Sequence, residues 1–465
     1  MSRLIAVSNR IPKPGERYTA GGLAVAVRNA LERRGGVWLG WSGETSESGP
    51  IDRAPKTVSW NNVDYVTIDL TQRDQDEYYN GFANRALWPL FHHQPGLTEF
   101  ARRDMAGYYR VNETFARVLA PMLRPDDVIW VHDYHLIPLA SELRACGVLN
   151  RIGFFLHIPW PAPELLAILP NHMRLAANLA SYDLVGFQTK SFLDNFLAYL
   201  KEEMHIETGQ NGIVEAFGRR LLMAVFPISI DTEEFIRFAN APLSASARRF
   251  IASLQGRMLA LSVDRLDYSK GIPQRIEAFG RFLELYPDFR NRFTALQIAP
   301  TTREKIPEYV EINREVAEAT GRVNGQFGEI DWAPIRYVNR SVARAVLAAL
   351  YRSARVGVVT PLRDGMNLVA KEYVASQNEA DPGVLVLSRF AGAAQELRGA
   401  LMVNPYDVDG VAHCLKSAFE MPLEERMARH APMLRYLKEH DVHRWCDEFL
   451  ALLTRRSQAK ATLHA

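Results

Sequence analysis

The sequence predicts an α/β protein built as two open, mainly parallel-sheet domains in series, facing across a cleft. Short β-branched runs alternate with longer amphipathic stretches throughout, the pattern of parallel strands covered by helices. The chain of 465 residues is longer than a single hydrophobic core usually supports. Around residues 231–255 the alternation lapses: DTEEFIRFANAPLSASARRF is polar and holds no strong buried strand. The domain junction is expected there, giving domains of 1–240 and 241–465, with the last helix free to pack back on the first.

In the first domain the strands are expected at 4–8, 37–41, 63–70, 128–132, 152–158 and 184–188, with helices at 22–33, 75–92, 113–123 and 191–204. The second domain repeats the scheme. Its strands are expected at 258–263, 293–298, 356–360, 384–387 and 401–403, and its helices at 273–285, 306–320, 342–352 and 411–419. Open sheets of this kind bind ligands beyond the carboxyl ends of their strands, so functional residues are sought just after each strand.

Composition narrows the function classes. Lys plus Arg total 55 against 53 Asp plus Glu, which gives no global basic surface for nucleic acid but allows local clusters of arginine around one anion. Cys146, Cys414 and Cys446 are few, odd in number and far apart, which suits a reducing compartment without disulfides. MSRLIAVSNR is too short an apolar start for a signal peptide, and no window approaches the ~18 apolar residues of a membrane span. A cytoplasmic protein with no membrane partner is expected.

Several strand ends carry chemistry. The first strand ends in Ser8-Asn9-Arg10, and Gly21-Gly22 then open a helix where backbone could approach a phosphate. Asp133 ends VIWVH within HDYH, and His157 ends GFFLH within HIPWP. His132 and His135, two nearby imidazoles without sulfur ligands, make a poor metal site. In the second domain MLALSV runs into DRLDYSKG, placing Arg265 and Lys270 as a cationic pair suited to a pyrophosphate, and Arg303 follows a further strand in APTTR. The stretch TPLRDGMNLVAKEY joins a buried strand to a helix through Arg363-Asp364-Gly365-Met366-Asn367. Backbone N–H groups from Gly365 to Leu368 can face a phosphate there. Glu372, about one and a half turns on, can accept hydrogen bonds from the vicinal hydroxyls of a ribose. Charges at such a junction are costly unless something binds them, and a nucleotide sugar meets that need.

Together SNR, GGL, LWPLFH, WVHDYHL, IGFFLHIPWP, VDRLDYSKG, APTTR, TPLRDGMNLVAKEY, SRFAGAA and NPYD, in order over residues 1–450, resemble the trehalose-6-phosphate synthase family. The resemblance implies two Rossmann-like domains (the GT-B fold) and retaining transfer of glucose from a nucleotide sugar, typically UDP-glucose, to glucose 6-phosphate. It implies donor contacts at Gly21, Gly22, Arg265, Lys270, Asp364, Gly365, Met366, Asn367, Leu368, Val369 and Glu372. Acceptor contacts are implied at Arg10, Trp41, Tyr79, Trp88, Asp133 and Arg303, with Arg10, Arg303 and Tyr79 around the phosphate. On their own, Trp41 and Trp88 read as core aromatics in apolar segments. His157 and Asp364 would hold the transferred glucose.

Breaking the bond to the diphosphate develops negative charge that Arg265 and Lys270 would stabilise, so neither metal nor cofactor is expected. Two DxD matches, Asp74-Gln75-Asp76 and Asp407-Val408-Asp409, precede helices and are read as caps. The resemblance further implies front-face attack with no protein nucleophile. A relative with another acceptor, such as a glucosylglycerol-phosphate synthase, would alter the acceptor residues. A non-catalytic sugar-phosphate sensor would lose some of Arg265, Lys270 or Asp364. The sequence leaves open the nucleotide base and whether the chain forms a homo-oligomer, as a dimer or tetramer.

Overall fold

The computed structural model describes residues 3–15, 22–47, 55–207, 209, 212–216, 218–303 and 306–455. They divide into two compact units. The first contains the described residues of Met1–Glu16, Leu23–Pro227 and His443–Ala465; the second contains Gly22 and Ile228–Val442.

The first unit is built on a nine-stranded sheet of β1 (Leu4–Arg10), β2 (Gly36–Thr45), β3 (Lys56–Trp60), β4 (Val63–Leu70), β5 (Val128–His132), β6 (Arg151–Phe155), β7 (Leu184–Phe187), β8 (Ile213–Ala216) and β9 (Arg219–Val225). Their order across the sheet is β3-β4-β2-β1-β5-β6-β7-β9-β8. Pairing is parallel except at the two edges, β3 with β4 and β8 with β9. The central strands are apolar because helices cover both faces: every residue of VIWVH in β5 is buried. In β1 burial gives way at Asn9 and Arg10, so the strand delivers its polar end to the carboxyl edge. The helix Val442–Thr454 packs in this unit, where Trp445 Nε1 donates to the carbonyl of Phe226 at 3.1 Å and Phe449 stacks on Trp130 at 4.7 Å.

The second unit holds a fully parallel six-stranded sheet in the order β12-β11-β10-β13-β14-β15. The strands are β10 (Met258–Val263), β11 (Phe293–Ile298), β12 (Ile335–Val338), β13 (Val356–Val359), β14 (Val384–Ser388) and β15 (Leu401–Val403). Phe279, Phe282, Phe289, Phe293 and Phe419 fill its core beside the helix Ile272–Leu285.

The structure moves the expected junction from 240 to the Pro227–Ile228 bond. The polar stretch after it hides an amphipathic helix, Thr232–Asn240, capped by Asp231, whose carboxylate accepts from Glu234 N at 2.9 Å. Phe235 and Ala239 are buried on its inner face, and it packs on Arg344–Ser353 and Leu368–Ser376. The expected helix at 75–92 begins as a π-helix, Gln75–Leu87, and continues as Trp88–Phe91. The one expected at 113–123 starts earlier, as Arg102–Leu119.

Candidate active site

In the second unit the carboxyl ends of β10, β11 and β13 are tied together by one buried side chain. Arg275 donates from Nε to Thr360 Oγ1 (2.8 Å), from Nη1 to Gln297 Oε1 (3.0 Å) and to the Asp264 carboxylate, and from Nη2 to the carbonyl of Lys270 (3.0 Å). A buried guanidinium is tolerated because each of these partners compensates its lost hydration. Burial raises the Asp264 carboxyl above its ordinary range while Arg275 and Lys270 pull it back. Sequence reasoning passed over Arg275; its signal is an arginine on the buried face of a helix directly after DRLDYSKG.

This anchor fixes the loop that carries the expected cations. Lys270 Nζ lies 2.5 Å from Asp364 Oδ2, although 94 residues separate them, and Asn367 Nδ2 donates to the same oxygen at 3.0 Å. Arg265 stands exposed at the same strand end. Asn367 has φ 84° and ψ 90°, and its side chain caps the helix Leu368–Ser376 by accepting from Ala370 N at 3.2 Å. First-turn N–H groups of a helix have no partner four residues back, and Leu368 and Val369 are the first two residues of this helix. The turn at Gly365 and Met366 is seated by Ala393 N on the Met366 carbonyl (2.8 Å) and by Gly392, where any Cβ would meet the Gly365 carbonyl oxygen at 2.1 Å.

Lys371, on the same helix, is spent inside the protein. It is fully buried, 2.7 Å from Glu396 Oε2, and donates to the Ile228 carbonyl at 2.7 Å. Glu372, on the next helix position, accepts from Tyr351 Oη at 3.2 Å. Desolvation pushes its carboxyl up to about 7, against the opposing pull of Arg344. Arg303 has φ 52° and a side chain only 4% exposed. It donates to Tyr309 Oη and lies 3.6 Å from Asp267, whose carboxylate also accepts from Tyr309 at 3.0 Å and from Ser269 N at 2.9 Å.

In the first unit, the carboxyl ends of β1, β2, β5 and β6 gather the other set. Arg10 lies over the Trp41 ring at 5.6 Å and against Gly43, where a Cβ would collide with its guanidinium at 2.1 Å. Trp41 in turn meets Tyr79 edge-on at 5.5 Å, and Tyr79 stacks on His135 at 5.9 Å. Both Trp41 and Trp88 are buried, Trp88 against Tyr134 at 5.7 Å. The π-helix is pinned there by Tyr78 Oη on Asn9 Oδ1 (2.8 Å) and by Tyr134 Oη on Asn84 Oδ1 (2.8 Å). Asn9 and Tyr134 were not singled out in the sequence beyond their place in motifs, and His135 was considered there only as a poor metal ligand.

Asp133 is the strained residue of this set. With φ 76° and ψ 164° it occupies a region that is essentially glycine's. The conformation persists because its N–H donates to the Phe155 carbonyl (2.8 Å) and its Oδ1 accepts from His157 N (3.2 Å). His157 Nε2 lies 3.2 Å from His132 Nδ1. Burial holds both imidazoles neutral, taking His157 down to about 3 and His132 well below its ordinary value. Strain at Asp133, Arg303 and Asn367 therefore coincides with three expected site residues.

Gly21 lies outside the described residues, and Gly22 is the first residue of the helix Gly22–Arg34. Of the two DxD matches, Asp407 is a cap, accepting from Gly410 N at 2.8 Å. Asp74 is not: Thr71 is the cap, its hydroxyl donates to the Asp74 carboxylate (2.7 Å), and that carboxylate pairs with Arg110 at 2.6 Å. That carboxylate was free to leave the cap because Thr71 satisfies the helix start. Among the described residues no group of three or more His, Cys, Asp or Glu could hold a metal ion. None of the described helices is long and apolar enough to cross a membrane, and Cys146, Cys414 and Cys446 form no disulfide.

The family model for glycosyltransferase family 20 matches residues 6–455. A trehalose-6-phosphate synthase of Sinorhizobium fredii is 54% identical over 98% of this chain and 99% of its own. The crystal structure of a UDP-forming alpha,alpha-trehalose-phosphate synthase from Burkholderia xenovorans, in complex with glucose-6-phosphate, superposes with a TM-score of 0.94 at 50% identity, covering 98% of this chain and 100% of that one. A structure from E. coli bound with UDP-2-fluoro glucose gives a TM-score of 0.94 at 46% identity, over 98% and 99% of the two chains. With similarity of this depth along almost its whole length, the chain belongs to glycosyltransferase family 20.

Proposed function

We propose that the protein transfers glucose from UDP-glucose to glucose 6-phosphate with retention, releasing UDP and trehalose 6-phosphate. The observation that carries the reading is the Lys270–Asp364 pair at the ends of β10 and β13, beside the open helix start at Leu368. An ammonium, a carboxylate and first-turn amides in one place suit a sugar diphosphate: the ammonium and amides for the anion, the carboxylate for sugar hydroxyls.

Donor contacts are assigned to Gly21, Gly22, Arg265, Lys270, Asp364, the backbone from Gly365 to Val369, and Glu372. Acceptor contacts are assigned to Arg10, Trp41, Tyr79, Trp88, Asp133 and Arg303. The anomeric carbon–oxygen bond to the β-phosphate breaks as the acceptor hydroxyl attacks from the same face. The departing phosphate oxygen takes the hydroxyl proton, so UDP leaves with that proton's balance and no glycosyl-enzyme forms. Lys270 and Arg265 stabilise the charge as it grows on the diphosphate, in the position a metal would otherwise hold. Incubating the protein with UDP-, GDP- and ADP-glucose and glucose 6-phosphate, with separation of the disaccharide phosphate, tests the reading. Turnover with UDP-glucose is expected; binding of both substrates without product would make the protein a sensor.

A further inference from the structure

We propose that His132 is a positioning residue that fixes the tautomer of His157, so that His157 presents Nδ1–H to the transferred sugar. The inference rests on the function proposed above, with His157 holding the transferred glucose as the family resemblance implies, for what His157 touches, but not for the tautomer itself.

His132 is fully buried at the end of β5, and His157 is half-buried just beyond β6. One hydrogen joins them, between His132 Nδ1 and His157 Nε2 at 3.2 Å. Among the described residues, His132 Nε2 is buried and has no hydrogen-bond partner. Two arrangements satisfy the shared bond. If His157 donates from Nε2, His132 must carry its own hydrogen on Nε2, leaving a buried N–H with no acceptor. If His132 donates from Nδ1, its Nε2 is a bare lone pair.

Orphaned buried N–H groups are rarer than orphaned acceptors, so the second arrangement is favoured. Trp130, with its ring centroid 4.5 Å from that of His132, offers at most a weak N–H···π contact to the first. Neutral rings fit the choice, since two imidazolium ions could not share this bond. With Nε2 of His157 accepting, its hydrogen sits on Nδ1, the remaining polar atom of the ring. That nitrogen then donates to a hydroxyl oxygen of the glucosyl group. The neighbouring peptide N–H of His157 is held by Asp133, which sets the backbone from which the ring projects. His132 therefore touches no substrate and acts through His157.

The test has two arms on the full-length protein. Long-range 15N–1H correlation of 15N-histidine-labelled protein, with His157 assigned by its loss in His157→Asn, reads the tautomer directly at neutral pH. The Nδ1–H form is expected, and an Nε2–H form overturns the proposal whether or not the protein makes any sugar product. In the second arm, His132→Asn keeps an N–H near the Nδ1 position and His132→Leu removes it. His132→Leu is expected to lower kcat about tenfold or more, with KM for glucose 6-phosphate unchanged. His132→Asn should recover most of that loss. Equal losses in both variants at wild-type melting temperature, or an undiminished kcat in His132→Leu, contradict it. If His132→Leu does not fold, the spectrum of the wild-type protein still decides.

Discussion

Lys270 Nζ and Asp364 Oδ2 stand 2.5 Å apart, and the carboxylate that holds the ammonium also accepts from Asn367. The pair is largely shielded, with side chains 12% and 14% exposed. Asp364 therefore keeps the ammonium ordered at the end of β10.

Replacing Lys270 with Ala should reduce kcat by ~10²–10³, the usual cost of losing one preorganised group facing developing charge. The acceptor KM should change little, because the loss falls in the transition state. Steady-state kinetics in both substrates check this, and an equal rise in both KM values with kcat intact would remove Lys270 from the leaving-group role.

Asp133 offers a stability test that is separate from activity. Its φ of 76° with ψ of 164° is costly for any residue with a Cβ. Asp133→Gly should be about 1 kcal/mol more stable than Asp133→Ala, by urea or thermal unfolding. Both variants should lose activity. No glycosyl adduct should be trapped on Asp133 in the wild type, and mass spectrometry of enzyme stopped during turnover would reveal one.

The fold was legible where strands are buried on both faces. Runs such as LIAVS, VIWVH and VGVV leave no alternative to a covered parallel sheet, and each is a strand in the structure. Strands β3, β8, β9 and β12, at or next to a sheet edge, were not read from the sequence, although the edge strand β15 was. All five residues of β3 are exposed, and β9 and β12 are only partly buried, so they lack the continuous apolar run of the central strands. The site was legible in the residues that follow strands, because charge there interrupts an apolar pattern. Arg275 was not, since it sits inside a helix whose other buried residues look like ordinary core, and only the fold brings Asp264, Gln297 and Thr360 to it.

Arg303 is held in a left-handed backbone conformation between Tyr309 and Asp267, with little exposure. If its guanidinium is a desolvated partner of the acceptor phosphate, Arg303→Ala should weaken glucose 6-phosphate binding by about 2–5 kcal/mol. Calorimetric titration checks this. Unchanged affinity would take Arg303 out of the site.

Glu372 supplies the pH dependence. Its carboxyl is raised from 4.5 to about 7, so the folded protein binds this proton more tightly than the unfolded chain does. The stability it contributes is therefore present in full below 4.5 and is lost as pH rises to about 7. Ribose hydroxyls would donate to the ionised form, so the KM for UDP-glucose should fall as pH rises through about 7. Glu372→Gln should flatten both trends. A donor KM whose pH profile is the same in wild type and Glu372→Gln would dissociate Glu372 from the ribose.

The central claim is that Lys270 and Arg265 carry the charge of the departing diphosphate without a metal ion. The most direct measurement is formation of trehalose 6-phosphate from UDP-glucose and glucose 6-phosphate by enzyme stripped of metals and assayed in excess chelator, wild type beside Lys270→Ala. Full turnover by the wild type and its collapse in Lys270→Ala are expected. Turnover abolished by the chelator and restored by magnesium would contradict the account.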